Sequence, residues 1–232
     1  MPNHIKNRLE IIATKEQLKE IFAKYNTHHK AALRSANDGS VVCEHKDEKY
    51  NIGWFDLRTG VFQKRNEPDV IGLPAEYEIE ITPAVDIFPD FKKVIPPPDC
   101  DEYNDIPTQD AVKDSPNWWY TWNVNNWGSK WGGYTYTKED DNVFLWETAW
   151  SPSIEIISVM AAQFPEIEMI YEFADEDTGS CTGRIHYKNG SQEEFFPDNH
   201  SKDAFDIAFK LRPEYAENYE LVEGKYQYVD ND

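Results

Sequence analysis

The sequence lacks a long apolar run, and no stretch approaches the roughly 18 residues that a membrane-spanning helix requires. Its opening segment, residues 1–13, has no apolar core of the kind found in signal peptides. Cysteine is scarce, and Cys43, Cys100 and Cys181 are far apart with no CxxC pair among them. That spacing argues against a zinc ribbon and against a disulfide framework. We therefore expect a cytoplasmic protein with free thiols and no membrane partner.

Positive charge is also in short supply. The 232 residues include 23 lysines and arginines against 43 acids, which is a formal net charge of −20. A protein that holds extended nucleic acid or an anionic membrane needs a cationic surface, so the composition excludes both as general partners. The exception is residues 1–35, where seven basic residues outnumber three acidic ones. The chain thus predicts an anionic surface with one basic element at its start.

The recurrent catalytic motifs are missing. The sequence has no GxSxG, HExxH, P-loop or GxGxxG pattern, and its six histidines show no metal-ligand spacing. Two acidic runs, which begin at Asp99 and Asp175, lack the further ligands of a calcium loop. The sequence therefore predicts no catalytic residue, no metal and no cofactor, and it gives no support to an enzyme.

Tryptophan is the abundant residue, and seven of the eight lie in one stretch: Trp118, Trp119, Trp122, Trp127, Trp131, Trp146 and Trp150. One interpretation is a packed core, since large aromatic side chains usually bury themselves. The other is a platform on which a nucleotide base stacks, because amides, glycines and a lysine are interleaved with the rings. In that second interpretation Lys130 and Arg184 lie near the phosphate. Its candidate ligand-binding residues are Trp122, Asn126, Trp127, Lys130, Trp131, Tyr134, Arg184 and His186.

A second polar constellation occupies residues 181–196. Asn189-Gly190 predicts a two-residue hairpin turn, which places His186 opposite Glu193. Arg184, His186 and Lys188 then share one face of the hairpin. That face is either a catalytic histidine–carboxylate pair or small anion site, or an exposed polar surface with a weak ion pair.

The order of elements predicts an α+β fold. A strand over 4–13 precedes a helix capped at Thr14, and further strands and helices alternate from residue 134 onward. This is the order of a ferredoxin-like antiparallel sheet with helices on one face. Residues 1–232 are expected to form a single such domain, with a small β-rich subdomain inserted at about 27–75 and an acidic C-terminal extension. Residues 91–95 are predicted as a further strand, ended by Pro96.

Six short motifs follow one another along the chain. They are Met1-Pro2-Asn3-His4-Ile5-Lys6-Asn7, Phe91-Lys92-Lys93-Val94-Ile95-Pro96, Asn126-Trp127-Gly128-Ser129-Lys130-Trp131, Thr148-Ala149-Trp150-Ser151-Pro152, Phe164-Pro165 and Tyr171-Glu172-Phe173-Ala174-Asp175-Glu176. Together they resemble the YubB-like proteins of plasmids and bacteriophages over roughly residues 1–190. The resemblance implies a ferredoxin-like domain and a mobile-element setting in a bacterial host cell. It implies no settled activity.

Three functions follow as hypotheses. The first is a non-enzymatic phage or plasmid accessory protein that inhibits a host defence or DNA-handling protein, because a dense carboxylate surface can occupy a site built for DNA phosphates. The second is a binder of a nucleotide or nucleotide signal that uses residues 118–136. The third is a hydrolase that uses His186 and carboxylates. For the first, the candidate contact residues are Asp99, Asp101, Glu102 and Asp105.

Overall fold

The computed structural model describes most of the chain. The described residues are 3–29, 33–35, 40–45, 48–56, 61–70, 79–81, 85–100, 103 and 115–229, with side chains described outside 28–85. Within these ranges, no helix is long and apolar enough to cross a membrane.

The described residues form short strands and helices. In chain order these are β1 (His4–Ile12), α1 (Lys15–Tyr25), β2 (Thr27–His29), β3 (Leu33–Ser35), β4 (Ser40–His45), β5 (Glu48–Asp56), β6 (Val61–Val70), β7 (Ile79–Ile81), β8 (Val85–Ile87), α2 (Phe91–Val94), α3 (Trp119–Trp127), β9 (Tyr134–Asp140), β10 (Val143–Ala149), α4 (Ile154–Gln163), β11 (Glu168–Asp175), β12 (Gly183–Lys188), β13 (Ser191–Phe195), α5 (Lys202–Leu211), a 3-10 segment (Pro213–Asn218), β14 (Tyr219–Val222) and β15 (Lys225–Tyr228).

The main sheet is antiparallel and has the strand order β13-β12-β11-β1-β10-β9. In chain order, β1-α1-β9 and β10-α4-β11 are two β-α-β units, and their four strands lie side by side as β11-β1-β10-β9. This is the split β-α-β arrangement of a ferredoxin-like domain. The predicted α+β fold is therefore confirmed.

Alternation along β1 decides which face of the sheet is buried. Ile5, Leu9 and Ile11 are fully buried in the same cluster as residues of α1 and α4. Each such aliphatic side chain contributes about 1.5–3 kcal/mol by leaving water. Arg8 alternates to the opposite face, where α5 packs against β11 and β1. Helices α1 and α4 thus share one face as expected, and α5 covers part of the other.

Strands β2 to β8 lie between α1 and α2 in the sequence and do not join the main sheet. Strands β2 and β8 pair antiparallel and form a stem. Between them lies a five-stranded sheet of order β6-β5-β4-β3-β7. These strands continue to Ile81, beyond the expected boundary near residue 75. The hairpin loop predicted at 58–60 lies outside the described residues.

The strand predicted over 91–95 was wrong, because these residues begin with the one-turn helix α2. The Asp90 carboxylate accepts a hydrogen bond from the Lys92 amide at 3.0 Å and caps this helix. Phe91 and Val94 are both buried. A spacing of three puts two side chains on one face of a helix and on opposite faces of a strand, so burying both selects the helix.

One buried hydrogen-bond network joins β1, β10, β11 and the residue before α4. The Asn7 amide donates to Thr148 Oγ1 at 3.0 Å, and Tyr171 Oη donates to Asn7 Oδ1 at 2.6 Å. The Ser153 amide donates to Tyr171 Oη at 2.9 Å, and Trp146 Nε1 donates to Ser153 Oγ at 3.1 Å. All five residues are 0% exposed, and burial raises the pKa of Tyr171. An unpartnered buried polar group costs about 1–3 kcal/mol, so the network favours this register of the three strands.

Replacing Tyr171 by phenylalanine tests this network. Tyr171→Phe is expected to lower the free energy of unfolding by about 1–3 kcal/mol, because Asn7 Oδ1 and the Ser153 amide both lose a buried partner. Urea unfolding measures the loss. The matched control is Tyr187→Phe, whose hydroxyl hydrogen-bonds the Ser158 hydroxyl at 2.9 Å and which should cost less. Equal losses from the two variants would contradict the assignment.

Candidate ligand-binding surface

Helix α3 ends at Trp127, and Gly128 caps its C-terminus. This residue has φ of 74° in the left-handed region, which glycine adopts without strain. A Cβ at this position would also clash with the carboxylate of Glu155. Trp127, the last residue of the helix, is buried and donates from Nε1 to the Ile95 carbonyl at 2.9 Å. The end of the helix is therefore anchored in the core.

Two buried polar side chains hold the loop that follows. Asn123 donates from Nδ2 to the Lys130 carbonyl at 3.0 Å, and the Ser129 hydroxyl donates to the Trp131 carbonyl at 2.6 Å. The Tyr103 hydroxyl in turn donates to Asn123 Oδ1 at 2.9 Å. Asn123 and Ser129 are 4% and 1% exposed. The backbone that carries Lys130 and Trp131 is thus positioned by buried hydrogen bonds.

Trp150 is held from the opposite side. It follows β10 and has a positive φ of 67°, an uncommon conformation for a residue other than glycine. Its amide donates to the Asn3 carbonyl at 2.9 Å, and next to it the Thr148 hydroxyl donates to the Ser151 carbonyl at 2.7 Å. These bonds stabilise a backbone conformation that costs about 1–3 kcal/mol by itself.

The two loops bring Trp131 and Trp150 together with Lys130, and we call these three residues the aromatic surface. Their indole rings are stacked, with centroids 6.2 Å apart and an angle of 25° between the planes. The Lys130 ammonium lies 4.6 Å from the Trp131 ring centroid and 4.7 Å from that of Trp150. Trp131 is 40% exposed and Trp150 46% exposed. Among the described residues no carboxylate forms a salt bridge with Lys130, so its charge is available to an anion.

The other tryptophans with described side chains divide between core and half-buried positions. Trp127 and Trp146 are buried in the main core. Trp122 is half-buried and packs edge-to-face on Trp127, with centroids 5.4 Å apart. Asn126 donates back to the Trp122 carbonyl within α3. The core interpretation therefore fits Trp127 and Trp146, and the exposed-platform interpretation fits Trp131 and Trp150.

Three further predicted ligand residues, besides Trp122, Asn126 and Trp127, lie outside the aromatic surface. Tyr134 is half-buried, and its hydroxyl lies 2.7 Å from His4 Nδ1, while burial raises its pKa. Arg184 and His186 lie on β12, which β11, β1 and β10 separate from β9. Arg184 was expected near the same phosphate as Lys130, but the structure places Lys130 in the loop before β9 and pairs Arg184 on β12 with Glu172.

Arg184 belongs instead to a cluster around a buried acid. The Glu172 carboxylate is 0% exposed and accepts from Arg184 Nε at 2.9 Å, Arg8 Nη1 at 3.2 Å and the Lys210 ammonium. Burial alone raises the pKa of Glu172, and the lysine and arginines outweigh it, so its pKa lies below the usual value. Because Lys210 is on α5 and Glu172 on β11, the cluster ties this helix to the sheet.

His186 lies opposite Glu193 in the register, as predicted, and its hydrogen-bond partner is Glu168 on β11. His186 Nε2 lies 2.7 Å from Glu168 Oε1, and the Lys188 ammonium lies 2.9 Å from the other oxygen of the Glu168 carboxylate. Hydrogen bonds from Lys188 and His186 hold the pKa of Glu168 below its usual value. A carboxylate so stabilised is a weak general base, and the geometry is that of an ion-paired polar face. The described residues contain no cluster suited to a metal ion.

The acidic candidates could be placed only in part. Asp99 is exposed, in the stretch that follows α2. Asp101, Glu102 and Asp105 lie outside the described residues. Sequence reasoning did not select Trp150, although the motif Thr148-Ala149-Trp150-Ser151-Pro152 contained it. Tyr120 was also missed, and its ring centroid lies 5.7 Å from the Lys130 ammonium.

Comparison with known families agrees with this architecture. Residues 130–211 match the family model described as "Ferredoxin-like domain in Api92-like protein". The fold of this stretch is ferredoxin-like. The match covers about a third of the chain, and the ferredoxin-like domain takes β1 and α1 from outside it. No curated protein and no solved structure matches the chain. The resemblance to YubB-like proteins stays a prediction.

Glu172→Gln tests the buried acid in the ferredoxin-like domain. We expect a loss of about 2–4 kcal/mol in the free energy of unfolding at neutral pH, because three cations lose a shared buried carboxylate. The folded pKa lies below the unfolded value of 4.5, so this stabilisation is complete above that pH and fades as the pH falls through the folded pKa. Urea unfolding across this range should therefore show the two proteins converging in acid. A difference that grows in acid would exclude the assignment, and Glu168→Gln is the control with a much smaller expected effect.

Acrylamide quenching of tryptophan fluorescence tests the placement of the two exposed rings. The double variant Trp131→Phe/Trp150→Phe should lose most of the readily quenched emission, because the quencher reaches exposed rings first. The matched control is Trp118→Phe/Trp119→Phe, which removes two half-buried rings. The placement is wrong if the control removes as much of the quenched fraction.

Proposed function

We propose that this protein is a non-enzymatic binding protein that holds a nucleotide on the aromatic surface. The observation that carries the proposal is the pair of exposed, stacked rings of Trp131 and Trp150 beside the Lys130 ammonium. Exposed apolar groups that adjoin one another mark interaction sites more often than isolated ones do. The base of a nucleotide can stack on an exposed indole ring, and its phosphate can pair with the Lys130 ammonium.

The expected affinity follows from the size of each contribution. A base that stacks on an aromatic side chain gains about 1–3 kcal/mol. A hydrogen bond between Lys130 and a phosphate adds about 1.5–3 kcal/mol, because one partner is charged. Part of this gain offsets the lost freedom of the ligand. The remainder is about 4 kcal/mol or less, which corresponds to a dissociation constant near 1 mM.

The hydrolase hypothesis has less support. His186 lies on β12 and its partner Glu168 on β11, and β1 separates β11 from β10, the strand that leads to Trp150. A nucleotide on the aromatic surface would therefore not contact His186 or Glu168. Sequestration of the ligand, rather than its turnover, is the activity we propose.

The resemblance to YubB-like proteins supports a mobile-element setting for that activity. In this setting the protein would act as a phage or plasmid accessory protein that withdraws a nucleotide or nucleotide signal from a host process. The host-inhibitor hypothesis rests on the net charge of −20. Three of its four candidate contact residues lie outside the described residues, so the aromatic surface has the stronger geometric support.

Saturation-transfer NMR with AMP, adenosine and ribose 5-phosphate tests the proposal. We expect AMP to bind in the range near 1 mM, adenosine to bind about tenfold more weakly, and ribose 5-phosphate to give no signal. Trp131→Leu should weaken AMP and adenosine alike, because the base loses its stacking ring. Lys130→Gln should weaken AMP alone, because adenosine has no phosphate.

Lys138→Gln is the matched control, since it makes the same change of charge on β9 away from the two rings. It should leave AMP binding unchanged. The proposal fails if none of AMP, GMP, CMP and UMP binds at several millimolar, or if Trp131→Leu has no effect on a nucleotide that does bind.

A further inference from the structure

Helix α1 carries more apolar surface than its own core uses. Ile21 and Tyr25 are buried against the sheet, at 0% and 1% exposure. Leu18 and Phe22 are half-buried at the edge of that core. They lie one turn apart, so together they form a second apolar stripe along the helix. This stripe shares no residue with the aromatic surface, so a role for it goes beyond the proposed function.

The stripe forms the floor of a groove of about 800 Å³ between α1 and the turn that joins β9 to β10. Phe22 stacks on Phe88 with centroids 4.3 Å apart, and its ring lies 5.1 Å from that of Phe144. The floor is thus anchored by rings that belong to the main core. Its volume lies within the roughly 300–1,000 Å³ typical of ligand sites.

The rim of the groove is cationic. Lys15 and Lys19 of α1 line one side, and Lys138 lines the other, against the carboxylate of Asp141, the one acidic residue among the described lining residues. Lys138 and Asp141 form a salt bridge of 3.0 Å, which holds the pKa of Asp141 below its usual value. Within the described part of the chain neither Lys15 nor Lys19 forms a salt bridge, although the charge of Lys15 also helps to lower the pKa of Asp141. We call this feature the lysine groove.

Charge separates along α1 in the same way. Glu16 and Glu20 follow the two lysines by one position each, so they lie on another side of the helix and do not line the groove. The whole chain has a net charge of −20, and a cationic rim around an apolar floor is therefore a local exception to its surface.

We propose that the lysine groove binds an acidic amphipathic helix of a partner protein. In this binding mode, apolar side chains spaced by three and four residues enter a groove, here onto Leu18 and Phe22. Carboxylates on the flanks of the partner helix then pair with Lys15 and Lys19. The anionic remainder of this protein repels the same partner elsewhere, so charge confines binding to the groove.

Fluorescence anisotropy with a synthetic helical peptide tests the proposal. The labelled peptide has leucines at i, i+3, i+4 and i+7, with glutamates on both flanks. Lys15→Glu/Lys19→Glu should weaken its binding at least about tenfold, because the rim charge is reversed. Ala23→Trp should weaken it as much, since Ala23 is an exposed lining residue and the larger ring fills the groove without removing a native contact.

The matched charge control is Lys92→Glu/Lys225→Glu, which changes two exposed lysines outside the groove. It should alter binding less than about twofold. Circular dichroism shows whether each variant is folded, and acid residues at the start of α1 favour the helix dipole, so Lys15→Glu should fold.

Three outcomes would overturn the proposal. The first is that the acidic peptide does not bind at about 0.5 mM, or binds no better than the same peptide with lysines in place of glutamates. The second is that the control variant loses as much binding as the groove variant. The third is that dodecanoate binds and the peptide does not, which would make the groove a site for small anionic amphiphiles. Self-association of the protein through the groove, seen by analytical ultracentrifugation and abolished by Lys15→Glu/Lys19→Glu, would replace the partner by a second copy.

Discussion

The buried amide of Asn7 is the constraint on which the main sheet depends. It lies on the central strand β1 and hydrogen-bonds Thr148 on β10 and Tyr171 on β11, the two neighbours of that strand. Through Tyr171 the same network reaches the Ser153 amide at the start of α4. A slip of one residue in either pairing would leave several buried polar groups without partners, at about 1–3 kcal/mol each. Apolar packing holds the helices against the sheet, and this network selects one register for β1 and its two neighbouring strands.

The aromatic surface depends on the same kind of constraint. Thr148 accepts from Asn7 and donates to the Ser151 carbonyl, so the network extends to the loop of Trp150. On the other side, Asn123 and Ser129 hold the loop that carries Trp131. Buried hydrogen bonds thus position the two loops so that the rings of Trp131 and Trp150 stay exposed to water. A surface prepared in this way loses little conformational entropy when a ligand stacks on it, which suits a weak but selective binding site.

Basic residues have two different surroundings in the ferredoxin-like domain. Glu172 is buried because three cations surround it, and it joins α5 to the sheet. Lys15 and Lys19 are not among the cations that surround Glu172, and they border an apolar groove instead. Lysine and arginine therefore stabilise the fold where they meet a buried acid, and elsewhere they line the groove that we propose as an interaction surface. Net charge alone does not distinguish the two roles.

Local patterns were sufficient for most of the fold. The Thr14 cap, the alternation along β1 and the Asn189-Gly190 turn act over a few residues, and the ferredoxin-like order follows from them. Local pattern failed at 91–95, where burial of both ends of one turn decided the structure. For the site, sequence proximity selected Lys130 and Trp131 but not Trp150, which the strands of the sheet bring beside them. The sequence by itself determined most of the elements of the main sheet and the uneven placement of tryptophan and charge. Only the tertiary structure decided which rings reach water, because exposure depends on what packs against each ring from distant parts of the chain.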